Sequence, residues 1–410
     1  MAKKSAEPRC SFCGQPQSEV GILLSGMRDD VFICNNCAHT VIDYTAQLMP
    51  KTEKHSEFSL DHLPTPKEIK AYLDQYIIGQ DDAKKYLSVA VYNHYKRISQ
   101  QGQADEVEID KSNIIMVGST GTGKTLLART IARLLKVPFT IVDATVFTEA
   151  GYVGEDIESI LSRLYQAADC DLAATERGIV FIDEIDKIAR KSDNPSITRD
   201  VSGEGVQQGM LKLLEGSIVN VPPKGGRKHP EQDYVHVNTR NILFICGGAF
   251  DGIEKKIAQR LNTHTVGFDS VQNLMQIDQS DLMQYVAPQD LKSFGLIPEI
   301  IGRLPVLTYL KPLDRNALRQ ILTEPKNSII KQYVQLFAMD GIALTFNDEA
   351  LDYIVDQAVE YRLGARGLRS IVESIMIDAM YEAPEMRKKS LEITKQYAEE
   401  KFQKQRTLTK

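Results

Sequence analysis

Long hydrophobic runs, a surplus of either charge and a dispersed set of cysteines are all missing from this sequence. The densest apolar run, Ile242 to Gly248, is far short of the roughly 18 residues that a membrane-spanning helix needs. Six cysteines in 410 residues are too few for a disulfide scaffold, and four of them fall before residue 38. Lys and Arg number 49 against 55 Asp and Glu, a formal net charge of −6, so no broad nucleic-acid footprint is expected. Internal repeats and low-complexity tracts are missing as well. Met1 to Pro8 carries two lysines with no apolar stretch behind them, which does not read as a secretory signal, and a cytoplasmic protein is expected. What remains is 42% hydrophobic and 25% charged residues, the make-up of an ordinary globular chain of two to three domains.

The pattern along the chain divides it. Residues 1–50 hold the clustered cysteines and a short helical stretch. Residues 51–64 are polar and proline-bounded, as a linker is. At Thr65-Pro66-Lys67-Glu68 a helix start is written, with proline at the first position and Glu in the first turn. Helices are predicted over 66–75 and 80–100. Short apolar runs then alternate with helical stretches: 113–118, 139–142, 178–183 and 242–246. That alternation predicts an α/β fold with a parallel sheet covered on both faces, over a large domain of residues 65–311. Residues 312–390 space their apolar residues by three and four, as in a smaller, mainly helical domain. From Arg387 onward there are eight Lys/Arg against three Glu, and residues 391–410 are expected to form a basic, solvated or frayed tail.

Three motifs carry chemistry. Gly118-Ser119-Thr120-Gly121-Thr122-Gly123-Lys124-Thr125 fits the phosphate-loop pattern between a predicted strand and a predicted helix. Its glycines let backbone N–H groups face phosphates at a helix N-terminus, with Leu126 next in the same turn. Lys124 would reach the β- and γ-phosphates of ATP, and the Thr125 hydroxyl would hold Mg2+. Further on, Ile179 to Ile182 is an apolar strand ending in Asp183 and Glu184. Asp183 at the strand end would face the magnesium, and Glu184 would orient or activate the attacking water. The second acid argues for hydrolysis, because simple binding needs only the metal ligand. Finally, Cys10 and Cys13, then Cys34 and Cys37, have the spacing of a four-cysteine structural Zn2+ site, whose filled tetrahedral shell leaves no position for water. A redox pair is the alternative reading. Cys170 and Cys246 lie alone and read as buried small hydrophobes.

Taken together and in this order, these residues resemble the ClpX family of AAA+ unfoldases. The likeness runs through Ile77-Ile78-Gly79-Gln80, the phosphate loop, Gly151-Tyr152-Val153-Gly154, Ile182 to Asp186, Arg199 to Val206, Gly226-Arg227-Lys228-His229, Phe294 to Arg303 and Gly364 to Arg369. It implies ATP hydrolysis by a homo-oligomeric ring, a hexamer, that unfolds tagged proteins and passes them to a ClpP-type peptidase. It implies that Arg303 is an arginine finger for a neighbouring subunit, that Arg366 senses the phosphates within its own subunit, and that Ile77 and Ile78 pack on adenine. Tyr152 and Val153 would grip substrate in the pore, Arg227, Lys228 and His229 would stand at its mouth, and Val201 to Val206 would form a second pore loop. The zinc module would receive adaptors and substrates and dimerise through its apolar residues; no nucleic-acid or membrane partner is implied.

Two places depart from the family pattern. The peptidase-docking tripeptide is Val266-Gly267-Phe268, where the family has Ile-Gly-Phe; one methylene less is worth about 1 kcal/mol in a buried pocket. The strand from Ile242 ends in Gly247-Gly248 and offers no polar sensor side chain. A peptidase-independent remodeller of protein complexes and a nucleic-acid motor are the competing readings.

Overall fold

The computed structural model describes residues 7–26, 30–48, 63–100, 107, 109–147, 156–190, 203–222, 234–263, 278, 281–361, 364–385 and 389–408. It divides into two compact units, Met1–Phe58 and Ser59–Lys410. In the first, β1 (Leu23–Ser25) pairs antiparallel with β2 (Phe32–Cys34), and a helix, Asn35–Leu48, follows directly. Among the described residues its buried cluster is Cys10, Val20 and Cys34, with Leu23 and Cys37 against it. So small an apolar core cannot offset the entropy of ordering the chain by itself.

The second unit opens with the expected helix start, closed by a capping box. The N–H of Glu68 donates to Thr65 Oγ1 at 3.4 Å, and that of Thr65 donates to the Glu68 carboxylate at 2.8 Å. Helices Pro66–Asp74 and Asp81–Ser99 follow. The strands are β3 (Ile114–Val117), β4 (Phe139–Asp143), β5 (Ile179–Asp183), the hairpin β6 (Ile218–Val221) with β7 (Val235–Asn238), then β8 (Leu243–Gly248) and β9 (Val306–Tyr309). Five of them make a parallel sheet in the order β4-β5-β8-β3-β9. β3, β5 and β8 are buried almost throughout, which explains why they read as continuous apolar runs. β9 and the β6–β7 hairpin were not foreseen. The first is a four-residue run directly after a proline, and the hairpin arms are too far apart in sequence for a turn signal to join them.

Beyond Pro312 the helices are Arg315–Thr323, Ile329–Met339, Asp348–Glu360, Gly364–Glu382 and Lys395–Leu408, with a parallel pair of β10 (Ala343–Phe346) and β11 (Ser390–Ile393). The expectation of a frayed tail is overturned here. β11 is hydrogen-bonded to β10, and Ile393, Ala398 and Phe402 are buried in one cluster with Leu351, Ile354 and Leu368. Lys401 also reaches Asp378 at 2.7 Å. Lys395 and Lys404 lie exposed on helix Lys395–Leu408, while the few apolar residues dock its other side. Among the described residues no helix is long and apolar enough to cross a membrane.

Candidate nucleotide and zinc sites

In an open parallel sheet, ligands bind beyond the carboxyl ends of the strands, near the point where strand order reverses. Here β3 lies between β8 and β9, and the chain leaving it crosses to β4 at the far edge. The phosphate loop follows β3 at that point and opens helix Lys124–Leu135, with Gly121 and Gly123 at φ 85° and 102°. Such angles are open to glycine and strained for other residues.

Lys124 is largely buried, and its Nζ donates to the carbonyl oxygens of Gly118 and, at 3.1 Å, Ser119. Burial holds its ammonium below the ordinary lysine range, while the charges of Asp183 and Asp186 pull the other way. A cation kept beside the loop's own carbonyls is poised to turn onto phosphate oxygens. Thr125 Oγ1 donates to Asp183 Oδ2 at 3.3 Å, so two hard oxygen ligands of different elements converge where a magnesium ion would sit. Glu184 lies next in the chain, exposed, with its backbone in the left-handed region at φ 56° and its N–H donating to Asp183 Oδ1 at 3.0 Å. A non-glycine residue adopts that turn at a cost that marks functional positions.

The glycines that end β8 now have a reason. A Cβ on Gly247 would lie 2.7 Å from Phe181 Cζ and 3.5 Å from Lys124 Cδ; one on Gly248 would lie 2.7 Å from Asp186 Oδ1. The strand end is filled by side chains from its neighbours. Asp186, buried and accepting the Ala249 N–H at 3.1 Å, is a residue of this site that sequence reasoning missed. Its signal was present, two residues beyond the paired acids, but burial of a carboxylate is not visible in a sequence.

The small helical domain reaches the same place. The Ala365 N–H is 3.7 Å from where a Gly121 Cβ would stand, and the positive charge of Arg366 is felt by Lys124. Ile77 is buried and Ile78 partly so. Arg303 stands elsewhere. It caps helix Pro298–Gly302, pairs with Glu215 at 3.0 Å while half exposed, and its carbonyl accepts from Asn113 Nδ2 at 2.9 Å. Asn113 precedes β3 and the phosphate loop follows it, so the Arg303 backbone lies by the opposite end of that strand, about 16 Å away along it. Tyr152, Val153, Arg227, Lys228, His229, Val266, Gly267 and Phe268 lie outside the described residues.

In the N-terminal unit, the sulfur atoms of Cys10, Cys13, Cys34 and Cys37 lie within 4.8 Å of one another, and Cys13 Sγ is 3.8 Å from Cys34 Sγ. Four thiolates at about 2.3 Å from a tetrahedral zinc would be about 3.8 Å apart. The N–H groups of Cys34 and Cys37 point at Cys10 Sγ and Cys34 Sγ, at 3.3 and 3.4 Å, as they would toward thiolates. Burial raises the Cys10 thiol, but the backbone N–H groups of Cys13, Phe12 and Cys34 outweigh it and bring it down to about 6. Cys37 is pushed up to about 12, first by its hydrogen bond with Cys34 and then by burial. Four thiols this close cannot all lose their protons without a cation among them, and a zinc ion fits. Of the two remaining cysteines, Cys246 is buried as expected, its thiol pushed up to about 12. Cys170 is not: it is exposed, in a left-handed turn at φ 62° between two helices.

A phosphate loop on a central parallel strand, with an acid pair on the next strand but one, defines a P-loop ATPase of the AAA class. The AAA domain (Cdc48 subfamily) model matches residues 109–307, the ClpX C4-type zinc finger matches 8–45, and the C-terminal D2-small domain of ClpB protein matches 313–395. The ATP-dependent Clp protease ATP-binding subunit ClpX of Bacteroides thetaiotaomicron is 68% identical over 407 residues, 98% of each chain. Its counterpart in Bacteroides fragilis is 68% identical over 98% of this chain and 97% of its own, and that of Porphyromonas gingivalis 66% over 97% of each. The chain belongs to the ClpX family. It is accordingly an ATP-hydrolysing AAA+ protein carrying a four-cysteine zinc module.

Proposed function

We propose that this chain assembles as a hexameric ring in the cytoplasm, unfolds tagged proteins by pulling them through its axial pore, and delivers them to a ClpP-type peptidase. The observation that carries the ring is the placement of Arg303. It sits by the end of β3 opposite to the phosphate loop of its own subunit, half exposed, its guanidinium paired with Glu215 at the surface. A guanidinium so placed has no route to its own nucleotide and suits a neighbour's γ-phosphate. Within the subunit, Lys124 holds the β- and γ-phosphates, Thr125 and Asp183 hold Mg2+, Glu184 orients the attacking water, and Arg366 links the phosphates to the small domain. Magnesium bound there supplies neutralisation of the charge that builds up on the phosphate oxygens. Phosphate release then moves the small domain, and Tyr152 and Val153 transmit that motion to substrate, with Arg227, Lys228 and His229 favouring a C-terminal carboxylate at the pore mouth.

The N-terminal module supports a role as a docking site for adaptors: Phe12, Ile22 and Leu24 are 64%, 61% and 54% exposed, an apolar surface on a domain with little core of its own. Val266-Gly267-Phe268 is assigned to peptidase docking. The test is ATP-dependent loss of fluorescence from a stable fluorescent protein with an apolar C-terminal tag, first with the full chain alone and then with a ClpP-type peptidase. Unfolding that becomes degradation on adding peptidase, and reverts to unfolding alone when residues 266–268 are deleted, is the expected result. Unfolding that never becomes degradation would replace this reading with a peptidase-independent remodeller.

A further inference from the structure

Gln80 occupies a backbone conformation that its side chain does not favour, φ 60° and ψ 34°, directly after Gly79 at φ 62°. Glycine or asparagine would adopt that turn more readily. What glutamine adds is reach. Its Nε2 donates to the Lys311 carbonyl at 2.8 Å and its Oε1 accepts the Lys311 N–H at 2.8 Å, a two-point clasp that closes over 231 residues of chain and leaves Gln80 7% exposed. Lys311 is the joint between the domains. β9 ends at Tyr309, Leu310 still donates to Val117, Pro312 has no N–H to give, and Asp314 caps the first helix of the small domain.

The segment on the other side of the clasp is itself rigid. Buried Lys84 donates to the carbonyl of Ile77 at 2.6 Å and pairs with Asp74 at 2.7 Å, which fixes the strap carrying Ile77 and Ile78. The same strap meets the small domain once more, where the Lys326 N–H donates to the Gln75 carbonyl at 2.9 Å. Leu310 in turn lies against the phosphate loop, 2.9 Å from where a Gly118 Cβ would stand. We infer that Gln80 is a positioning residue: its amide ties the adenine-side strap to the interdomain joint at Lys311, so that nucleotide binding and small-domain orientation are one equilibrium. This rests on the reading that Ile77 and Ile78 contact adenine. Without the clasp the small domain samples orientations that do not bind, and apparent affinity falls by the fraction that remains competent.

The experiment uses the full zinc-loaded chain and its Gln80→Asn, Gln80→Gly and Ile78→Ala variants. Asparagine and glycine suit the left-handed turn, so the fold is retained, but neither spans to both Lys311 groups. Both variants are expected to raise KM for ATP about fivefold with kcat within about twofold, and to lose the nucleotide-dependent slowing of hydrogen exchange at the Lys311 and Lys326 amides, while the nucleotide-free melting temperature stays within about 2 °C. An unchanged KM and unchanged exchange in both would overturn the clasp. So would a KM defect confined to whichever variant has a lower melting temperature, since neither asparagine nor glycine spans to Lys311 and the loss would then follow local unfolding and not the missing clasp. Ile78→Ala checks the reading beneath: an unchanged KM there removes the adenine contact, and the coupling with it, whatever Gln80 does.

Discussion

Thr125 Oγ1 and Asp183 Oδ2 lie 3.3 Å apart although 58 residues separate them in the chain. One begins the helix after the phosphate loop and the other ends a strand, and a parallel sheet is what brings those two ends to the same edge. The neighbouring carboxylate, Glu184, shares neither that hydrogen bond nor that burial. The two acids therefore have separable duties. Asp183→Asn is expected to weaken magnesium-dependent nucleotide binding. Glu184→Gln should bind ATP at near wild-type affinity and hydrolyse it about 10²- to 10³-fold more slowly, in single-turnover assays. Wild-type hydrolysis by Glu184→Gln would remove it from the role of orienting water.

The end of β8 has no room for a side chain. Gly247→Ser places a Cβ 2.7 Å from Phe181 Cζ and in van der Waals contact with the Lys124 stem at 3.5 Å, so a shift that relieves the clash reaches Lys124. Overpacking of this kind costs about 1–3 kcal/mol, and here the loss should appear both in denaturant unfolding and as weaker ATP binding. A variant that unfolds earlier yet binds ATP as well as the parent would show that Lys124 is not displaced.

Removal of zinc tests the N-terminal unit. The five cysteine and aliphatic residues of its core among the described residues are too few to hold β1 and β2 together. Chelation should collapse the dispersed amide NMR signals of residues 7–48 while ATP hydrolysis by the full chain stays within about twofold. Persistence of those signals without metal would mean that the module folds on its apolar contacts.

His94 predicts a pH dependence. It is fully enclosed, its Nε2 is 3.0 Å from the Asn241 carbonyl oxygen, and burial, then the charges of Arg97 and Lys111, hold its pKa down to about 3. The unfolded chain therefore binds the proton first as pH falls. The contribution of His94 to stability is whole above about pH 6.5 and declines below it, toward pH 3, by up to about 1.4 kcal/mol per pH unit. The difference in unfolding free energy between the parent and His94→Gln, measured from pH 8 to pH 5, should shrink as the pH falls. A constant difference would place His94 in contact with water.

The C-terminal helix is part of the small domain's core. Phe402→Ala should destabilise that domain by about 3 kcal/mol, reported by chemical unfolding without nucleotide. A change under about 0.5 kcal/mol would restore the solvated tail.

Much of the site could be read along the chain because its chemistry depends on short spacings. The phosphate loop, the acid pair after Ile182 and the paired cysteine knuckles each need their residues within a few positions, since each is built on one turn or one strand end. The apolar runs of β3, β5 and β8 were legible for a similar reason: strands buried on both faces have no polar alternation to disguise them. The short strand β9 and the docking of Lys395–Leu408 were not legible. Whether a cationic, sparsely apolar stretch is solvated depends on whether a cleft accepts Ala398 and Phe402, and that cleft is made by helices Asp348–Glu360 and Gly364–Glu382, earlier in the chain.

What the amino-acid order determined by itself was therefore local: which turns can cradle phosphate, which strand end carries two acids, which four thiols can share one metal ion. Tertiary structure decided everything that depends on distance. It set Arg303 and the phosphate loop at opposite ends of one strand, buried Asp186 beside Gly248, and brought the Gln80 amide onto Lys311. The physical reason is that hydrogen bonds, ion pairs and desolvation act over a few ångströms of space, and only the folded sheet says which residues share them.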